Sequence, residues 1–362
     1  MSKISCKIIC HYNGRFLTPV FTGYFLLYKR GLINLSQLII KDKLFDVERP
    51  FHLRDARKAC TRVILNNQYK ICYDIHDSCE VDEEYMDWSD IYFKRSYSAE
   101  LHKSVEGQKK KIYPLGLWHE IFPDFFDKFA IQRSITQLNT PKYMFLTIVR
   151  ALNLFNSIKF TPRTNNMELL PDFNAAPKIL FSIKAWDPFD NKERPQNKID
   201  ERISLNEFRA NCIKLLKKEF GHNFFGGFDH SEFTKKNYKE LLLPDRALYS
   251  KKQYINLLKN YPICVATAGL HRANGAKLAE YIAFSKAIIS EKLYYQIPGK
   301  FEKDKNYLEF ASPEECVEKA VFLYSNKEIR ENIMINNSRF YQLFVKPDSL
   351  ILNTILTVLS SY

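Results

Sequence analysis

Short apolar runs separated by longer stretches of helical spacing recur along the whole chain. In the first half the runs at 3–11, 62–65, 70–74, 90–94 and 111–115 read as buried strands, with a helix over 19–28. A helix is expected near 143–155, followed by a polar stretch at 161–167. The second half restarts the pattern more cleanly. Strands are expected at 178–183, 223–228, 261–267, 286–290 and 306–310. Between the first two lies an amphipathic helix over 205–220, whose Phe208, Cys212, Leu215, Leu216 and Phe220 share a face. Ser204 or Asn206 would cap its start and Gly221 its end. Further helices are expected at 250–258, 275–284 and 347–359, and Ser312-Pro313 opens another as cap and first residue. Strands interleaved with helices imply parallel, doubly wound sheets. The fold class expected is therefore α/β, two Rossmann-like domains facing a cleft. The boundary falls near 165–175, giving residues 1–170 and 171–345, with a terminal helix over 346–362.

Composition narrows the classes. With 362 residues, 46% of them apolar and 26% charged, the chain can bury two cores and is not a disordered polymer. The net charge of +13 admits nucleic acid, an anionic membrane surface or phosphorylated substrates as partners. Its basic residues are dispersed, the densest runs being 109–111, 214–218 and 251–252, which counts against nucleic acid. The eight cysteines include no C-x-x-C pair and no paired Cys/His spacing, so reduced thiols and no structural zinc are expected. The first residues carry no apolar signal core, and the apolar stretch at 16–28 is too short to span a bilayer. A cytoplasmic location follows as the expectation.

The richest segment for chemistry runs from Ile263 to Glu291: an apolar strand, a loop of small residues, a helix and a second strand. A helix that starts at the carboxyl end of a strand offers free N–H groups and a positive dipole end to phosphate. Gly269 and Gly275 let the backbone approach a ligand, while His271, Arg272 and Lys277 add donors and charge. Glu280, three residues past Lys277, can accept from vicinal ribose hydroxyls; an ordinary surface Lys–Glu pair is the competing reading.

Gly275-x-Lys277-x-x-Glu280-Tyr281-x-Ala283, followed by the strand that begins at Lys286, resembles the donor-site signature of GT-B glycosyltransferases of the group 1 type. The resemblance continues through 306–310, Ser312-Pro313 and the stretch from Arg330 to Asn337, and covers residues 175–362. It implies that the helix start meets a nucleotide diphosphate, that Glu280 holds the ribose, that basic Lys184 reaches the phosphates, and that the last helix returns to the first domain. It also implies transfer of a sugar from a nucleotide-sugar donor to a hydroxyl of a glycan or lipid-linked acceptor, with no cofactor and no metal, in surface polysaccharide, capsule or lipopolysaccharide synthesis at the inner membrane face. One position departs from the pattern. The first acidic residue of the pair that many relatives carry has no counterpart, since Arg272 stands eight residues before Glu280.

In the first half, Asp77 or His76, at the end of a strand, is the candidate general base; a turn or cap role competes. His11, Lys94, Arg95 and His119 follow strand ends and are expected on the acceptor side. Arg194, Arg202 and Arg209 are weaker donor candidates, and Arg202 and Arg209 read at least as well as an exposed helix face. Other readings kept open are a DNA- or protein-modifying transferase, a non-catalytic scaffold, and an epimerase or hydrolase of the same fold.

Overall fold

The computed structural model describes residues 3–10, 15–40, 59–106, 111–136 and 160–361. The expected helix near 143–155 and His11 lie outside them. The chain forms two compact units: residues 1–167 with 295–299 and 342–362, and residues 168–294 with 300–341.

The first unit is built on a six-stranded sheet. Its strands are β1 (Ile4–Cys10), β2 (Ile33–Ile39), β3 (Cys60–Leu65), β4 (Tyr69–Asp74), β5 (Ile91–Lys94) and β6 (Lys111–Pro114), in the order β2-β1-β3-β4-β5-β6. The sheet is not wholly parallel as expected: β3 runs against both β1 and β4. The cause is local. Leu65 pairs with Tyr69, so a three-residue connection joins β3 to β4, far too short for the crossover a parallel pair needs. Asn66 and Asn67 both take φ of 54°, the left-handed region that asparagine tolerates. The Asn66 side chain also accepts from Ser5 N–H at 2.9 Å, which fixes the turn against β1. Strand β2 was not anticipated; its alternating burial marks a sheet edge with one wet face.

Helix α1 (Thr18–Lys29) is buried from Thr18 through Leu27, so it is apolar all round rather than striped. It needs cover on its outer side. The terminal helix (Pro347–Ser360, α11 in chain order) supplies it, and Leu350, Ile351, Ile355 and Val358 join the core of the first unit. Gly23 allows this approach, because a Cβ there would stand 2.2 Å from Pro347 O. A buried hydroxyl chain links the layers: Tyr24 to Tyr73 at 2.7 Å, and Tyr73 to Thr354 at 2.7 Å. The last helix therefore belongs to the first unit. Smaller helices α2 (Glu83–Trp88), α3 (Ala99–Glu106) and α4 (Lys128–Thr136) complete it among the described residues.

The second unit holds a five-stranded, all-parallel sheet. Strands β7 (Ile179–Ile183), β8 (Phe224–Phe228), β9 (Ile263–Ala266), β10 (Ala287–Glu291) and β11 (Tyr307–Phe310) lie in the order β11-β10-β9-β7-β8. The long helix α5 (Gln196–Phe220) starts earlier than the apolar face suggested, after Pro195, and ends at Gly221 with φ of 51°. Neither Ser204 nor Asn206 caps it. Asn206 is buried inside the helix run and bonds the backbone N–H and C=O of Trp186. Helices α6 (Glu232–Asn237), α7 (Lys251–Asn260) and α8 (Ala276–Ala283) follow, then α9 (Pro313–Ser325) and α10 (Lys327–Phe340). Ser312 caps α9 as expected, accepting from Glu315 N–H at 3.1 Å. No single helix among the described residues is long and apolar enough to cross a membrane.

Candidate functional site

In the second sheet the chain moves from β7 outward to β8, then returns past β7 to β9. That reversal leaves a crevice beyond the carboxyl ends of β7 and β9, the place where open parallel sheets bind ligands. Lys184, Ala185 and Trp186 leave β7 there; Thr267, Ala268 and Gly269 leave β9. The Lys184 ammonium lies 4.7 Å from the Trp186 ring centre.

Arg209 joins the two exits. It is buried, contrary to the exposed helix face that its position in a charged stretch suggested. Its guanidinium donates to Lys184 O at 2.8 Å, to Thr267 Oγ1 at 3.1 Å and to Ala268 O at 2.7 Å. Burial pushes its pKa down to about 10, against the pull of Glu291. Glu291, at the end of β10, accepts from Ala268 N–H at 2.8 Å; burial raises its pKa, while that N–H and Arg209 oppose the rise. The sequence offers Arg209 only as a weaker donor candidate and assigns Glu291 no role. The signal for Arg209 was its spacing: it falls on the same helical stripe as Asn206, Ile213 and Leu216.

The β9 loop then turns sharply. His271 and Arg272 both sit at positive φ, 59° and 60°. Glu201 of α5 holds the bend by accepting from His271 N–H at 2.6 Å, and Lys198 Nζ stands 3.1 Å from His271 Nδ1. Gly269 closes the loop by donating to Ala273 O at 2.9 Å. Arg272 lies over the Tyr294 ring at 4.8 Å. Gly275 is the cap residue of α8 and supplies no side chain to its first N–H groups.

Lys277, in the first turn of α8, lies 3.7 Å from the Tyr254 ring centre. Burial pushes its pKa down to about 8, with Glu280 pulling the other way. Glu280 is buried and ion-paired with Lys251 of α7. Gly269, His271, Arg272, Gly275, Lys277 and Glu280 thus share one loop and helix start, and Arg209 ties that loop to Lys184.

In the first unit, Asp74 at the end of β4 is fully buried. Its Oδ2 accepts from Tyr92 OH at 2.5 Å and Lys94 Nζ at 2.7 Å; its Oδ1 faces His76 Nδ1 at 2.9 Å. Burial opposes its charge, but Lys94 and His76 outweigh burial and hold the carboxyl well below the usual range. Burial likewise opposes the imidazolium of His76, yet the Asp74 bond pushes its pKa up to about 11. Asp77 is ion-paired with Arg95, which also packs over Trp118 at 5.4 Å. Lys94, Arg95 and His119 are all buried, so the ends of Lys94 and Arg95 serve Asp74 and Asp77 inside this unit.

No family model matches the chain, and no curated protein matches it. Among solved structures it is similar to Anabaena Alr3699/HepE in complex with UDP-glucose, at 10% identity and a TM-score of 0.41, over 99% of this chain and 100% of that one. It is similar to WaaG, a glycosyltransferase involved in lipopolysaccharide biosynthesis, at 10% identity and a TM-score of 0.37, over 96% and 97%. It is also similar to the C-terminal domain of a glycosyl transferase group 1 family protein (LpcC) from Francisella tularensis, at 15% identity and a TM-score of 0.34, over 49% and 95%. Likenesses this distant leave the function to the chemistry of the site itself.

Proposed function

We propose that the chain is a glycosyltransferase that binds a nucleotide-sugar through its second unit and transfers the sugar to a hydroxyl acceptor. The observation that carries this reading is the crevice between β7 and β9: Lys184 leaves β7, a small-residue loop carrying Arg272 leaves β9, and that loop runs into a helix start with no side-chain cap and Lys277 in its first turn. The start of α8 and the side chains of Lys184, Arg272 and Lys277 suit a diphosphate, which becomes the leaving group. Positive charge fixed in place before reaction stabilises the charge that develops on that group, so transfer is proposed to need no metal at the diphosphate. Glu280, beside Lys251, is assigned to the ribose hydroxyls.

For deprotonation of the acceptor, Asp77 is favoured over His76: its side chain stays exposed although Arg95 pairs with it, whereas the Asp74 bond keeps His76 protonated near neutral pH and unable to take a further proton. A glycan or lipid-linked acceptor at an anionic membrane surface is the setting proposed. Phe125 and Phe126 are exposed on the first unit, and Lys29 lies 5.8 Å from the Phe125 ring centre, an apolar pair with a cation beside it.

Thermal stability against UDP-, GDP-, CMP-, ADP- and dTDP-sugars tests the reading. A ligand at about 100 times its dissociation constant adds about 2.7 kcal/mol. One nucleotide class should stabilise the wild type and fail to stabilise Lys277→Ala and Glu280→Ala. Absence of a shift with all five would overturn the proposal.

A further inference from the structure

Three groups of the first unit converge on one point. Cys60 opens β3 and pairs with Asp74, the last residue of β4, across the antiparallel ladder. His76 follows two residues later. Its backbone N–H donates to Asp74 Oδ1 at 2.9 Å, and its Nδ1 lies 2.9 Å from the same oxygen. Cys60 Sγ lies 3.8 Å from that Nδ1. The thiol, carboxylate and imidazole ligating atoms all stand within 4.8 Å of one another. Cys60 and Asp74 are fully buried, whereas the His76 side chain keeps 24% of its exposure and gives the cluster a way in from solvent.

We propose that Cys60, Asp74 and His76 form a site for a thiophilic divalent transition metal, with Zn²⁺ the ion that fits best. The chemistry of the set supports this. A thiolate, an imidazole and a carboxylate together select zinc-like ions over magnesium or calcium, which take oxygen ligands. Metal–ligand bonds of about 2.0–2.3 Å at tetrahedral angles put neighbouring ligand atoms roughly 3–4 Å apart. Both separations at Nδ1 fall at or near that range. An Nδ1 proton can serve the carboxylate or the thiol; a cation between the three serves all of them. The far oxygen of Asp74 is anchored by Tyr92 and Lys94, so the near oxygen is held in place, as outer partners hold metal-binding carboxylates. On binding, the Cys60 thiol proton and the Nδ1 proton of the His76 imidazolium both leave to solvent, two protons for one divalent ion, and the imidazole keeps its proton on Nε2. Three protein ligands leave the fourth position to water. The set escapes a reading by spacing, because the β3–β4 hairpin brings position 60 beside 74.

The site draws only on residues of the first unit, and its test needs neither donor nor acceptor. Chelator-treated, reduced protein is titrated with Co²⁺ and then Zn²⁺, with wild type beside Cys60→Ala and His76→Ala and folding followed by circular dichroism. One Co²⁺ per chain should bind with thiolate-to-metal charge-transfer absorption, and Zn²⁺ should displace it. Cys60→Ala should lose that absorption, and folded His76→Ala should bind at least about 10-fold more weakly, since losing a ligand costs no less than losing an outer partner. No charge-transfer band in the wild type, or a band unchanged in both variants, would overturn the proposal.

Discussion

Arg209 and Glu291 grip the same residue from two sides: Arg209 donates to Ala268 O at 2.7 Å, and Glu291 accepts from Ala268 N–H at 2.8 Å. The residue that leaves β9 is thereby fixed through both its backbone polar groups before the loop reaches Gly269. A loop that must present N–H groups and cations to a ligand gains from being set in advance. Arg209→Met should release Lys184 O, Thr267 and Ala268 together. Unsatisfied buried acceptors cost about 1–3 kcal/mol each at most, so a loss of roughly 2–5 kcal/mol is expected. Urea unfolding should show that loss. Calorimetry on the folded variant should show donor affinity down at least ~10-fold.

Lys277 should trade stability for binding. Its ammonium is held partly out of water against Tyr254, and Glu280 is already paired with Lys251. Lys277→Met should therefore stabilise the free protein by about 1–4 kcal/mol near neutral pH, while abolishing the donor-induced thermal shift. The sign of the pH dependence follows from a folded pKa of about 8 against 10.5 in the unfolded chain. The folded state binds this proton more weakly, so the penalty is complete below about 8 and fades as pH rises towards 10.5. The gap in melting temperature between variant and wild type should narrow across that window. Donor affinity of the wild type should decline as pH climbs past 8.

Much of the second unit was legible because its strands are buried on both faces and its helices carry apolar stripes. The β9–loop–α8 passage could be read directly, since small residues at 268–275 and cations at 271, 272 and 277 stand within one short segment. What escaped were the partners supplied from far along the chain. Glu201 and Lys198 reach His271 from α5, Lys251 reaches Glu280 from α7, and Arg209 reaches Ala268. Nothing in local spacing announces such pairs. The reversed β3 was within reach, because three residues between two strands exclude a crossover. Edge strand β2 was missed because Asn34, Ser36 and Gln37 break its apolar run.

Docking of the last helix depends on Gly23. Alanine there would put a Cβ 2.2 Å from Pro347 O and 2.4 Å from Ile351 Cγ1, one a backbone atom that cannot step aside. The helices α1 and α11 must then separate, and the Tyr24–Tyr73–Thr354 hydroxyl chain with them. Gly23→Ala should destabilise the protein by roughly 2–4 kcal/mol, although alanine favours helix. Limited proteolysis should release the C-terminal segment from the variant before any other fragment appears. Tyr73→Phe, which removes only the shared hydroxyl, should cost about 1–2 kcal/mol and leave the helix protected.

Asp74 and Lys94 form a pair with both side chains fully buried, 2.7 Å apart. Such a pair is worth little against apolar replacements of both partners, yet removing one member strands the other. Asp74→Asn, measured in chelator so that no metal enters, should cost about 3–5 kcal/mol. Asp74→Asn combined with Lys94→Met should recover most of that loss, because the stranded ammonium is gone. A double variant as unstable as the single one would show that the carboxylate matters through Tyr92 and His76 instead. The pH sign agrees with the pair. The Asp74 carboxyl is depressed below its ordinary 3.8, so its contribution is present above that pH and lost as pH falls below it. Wild type should therefore show an acid limb in its stability curve that Asp74→Asn lacks, measured as the midpoint of urea unfolding between about pH 2 and 5.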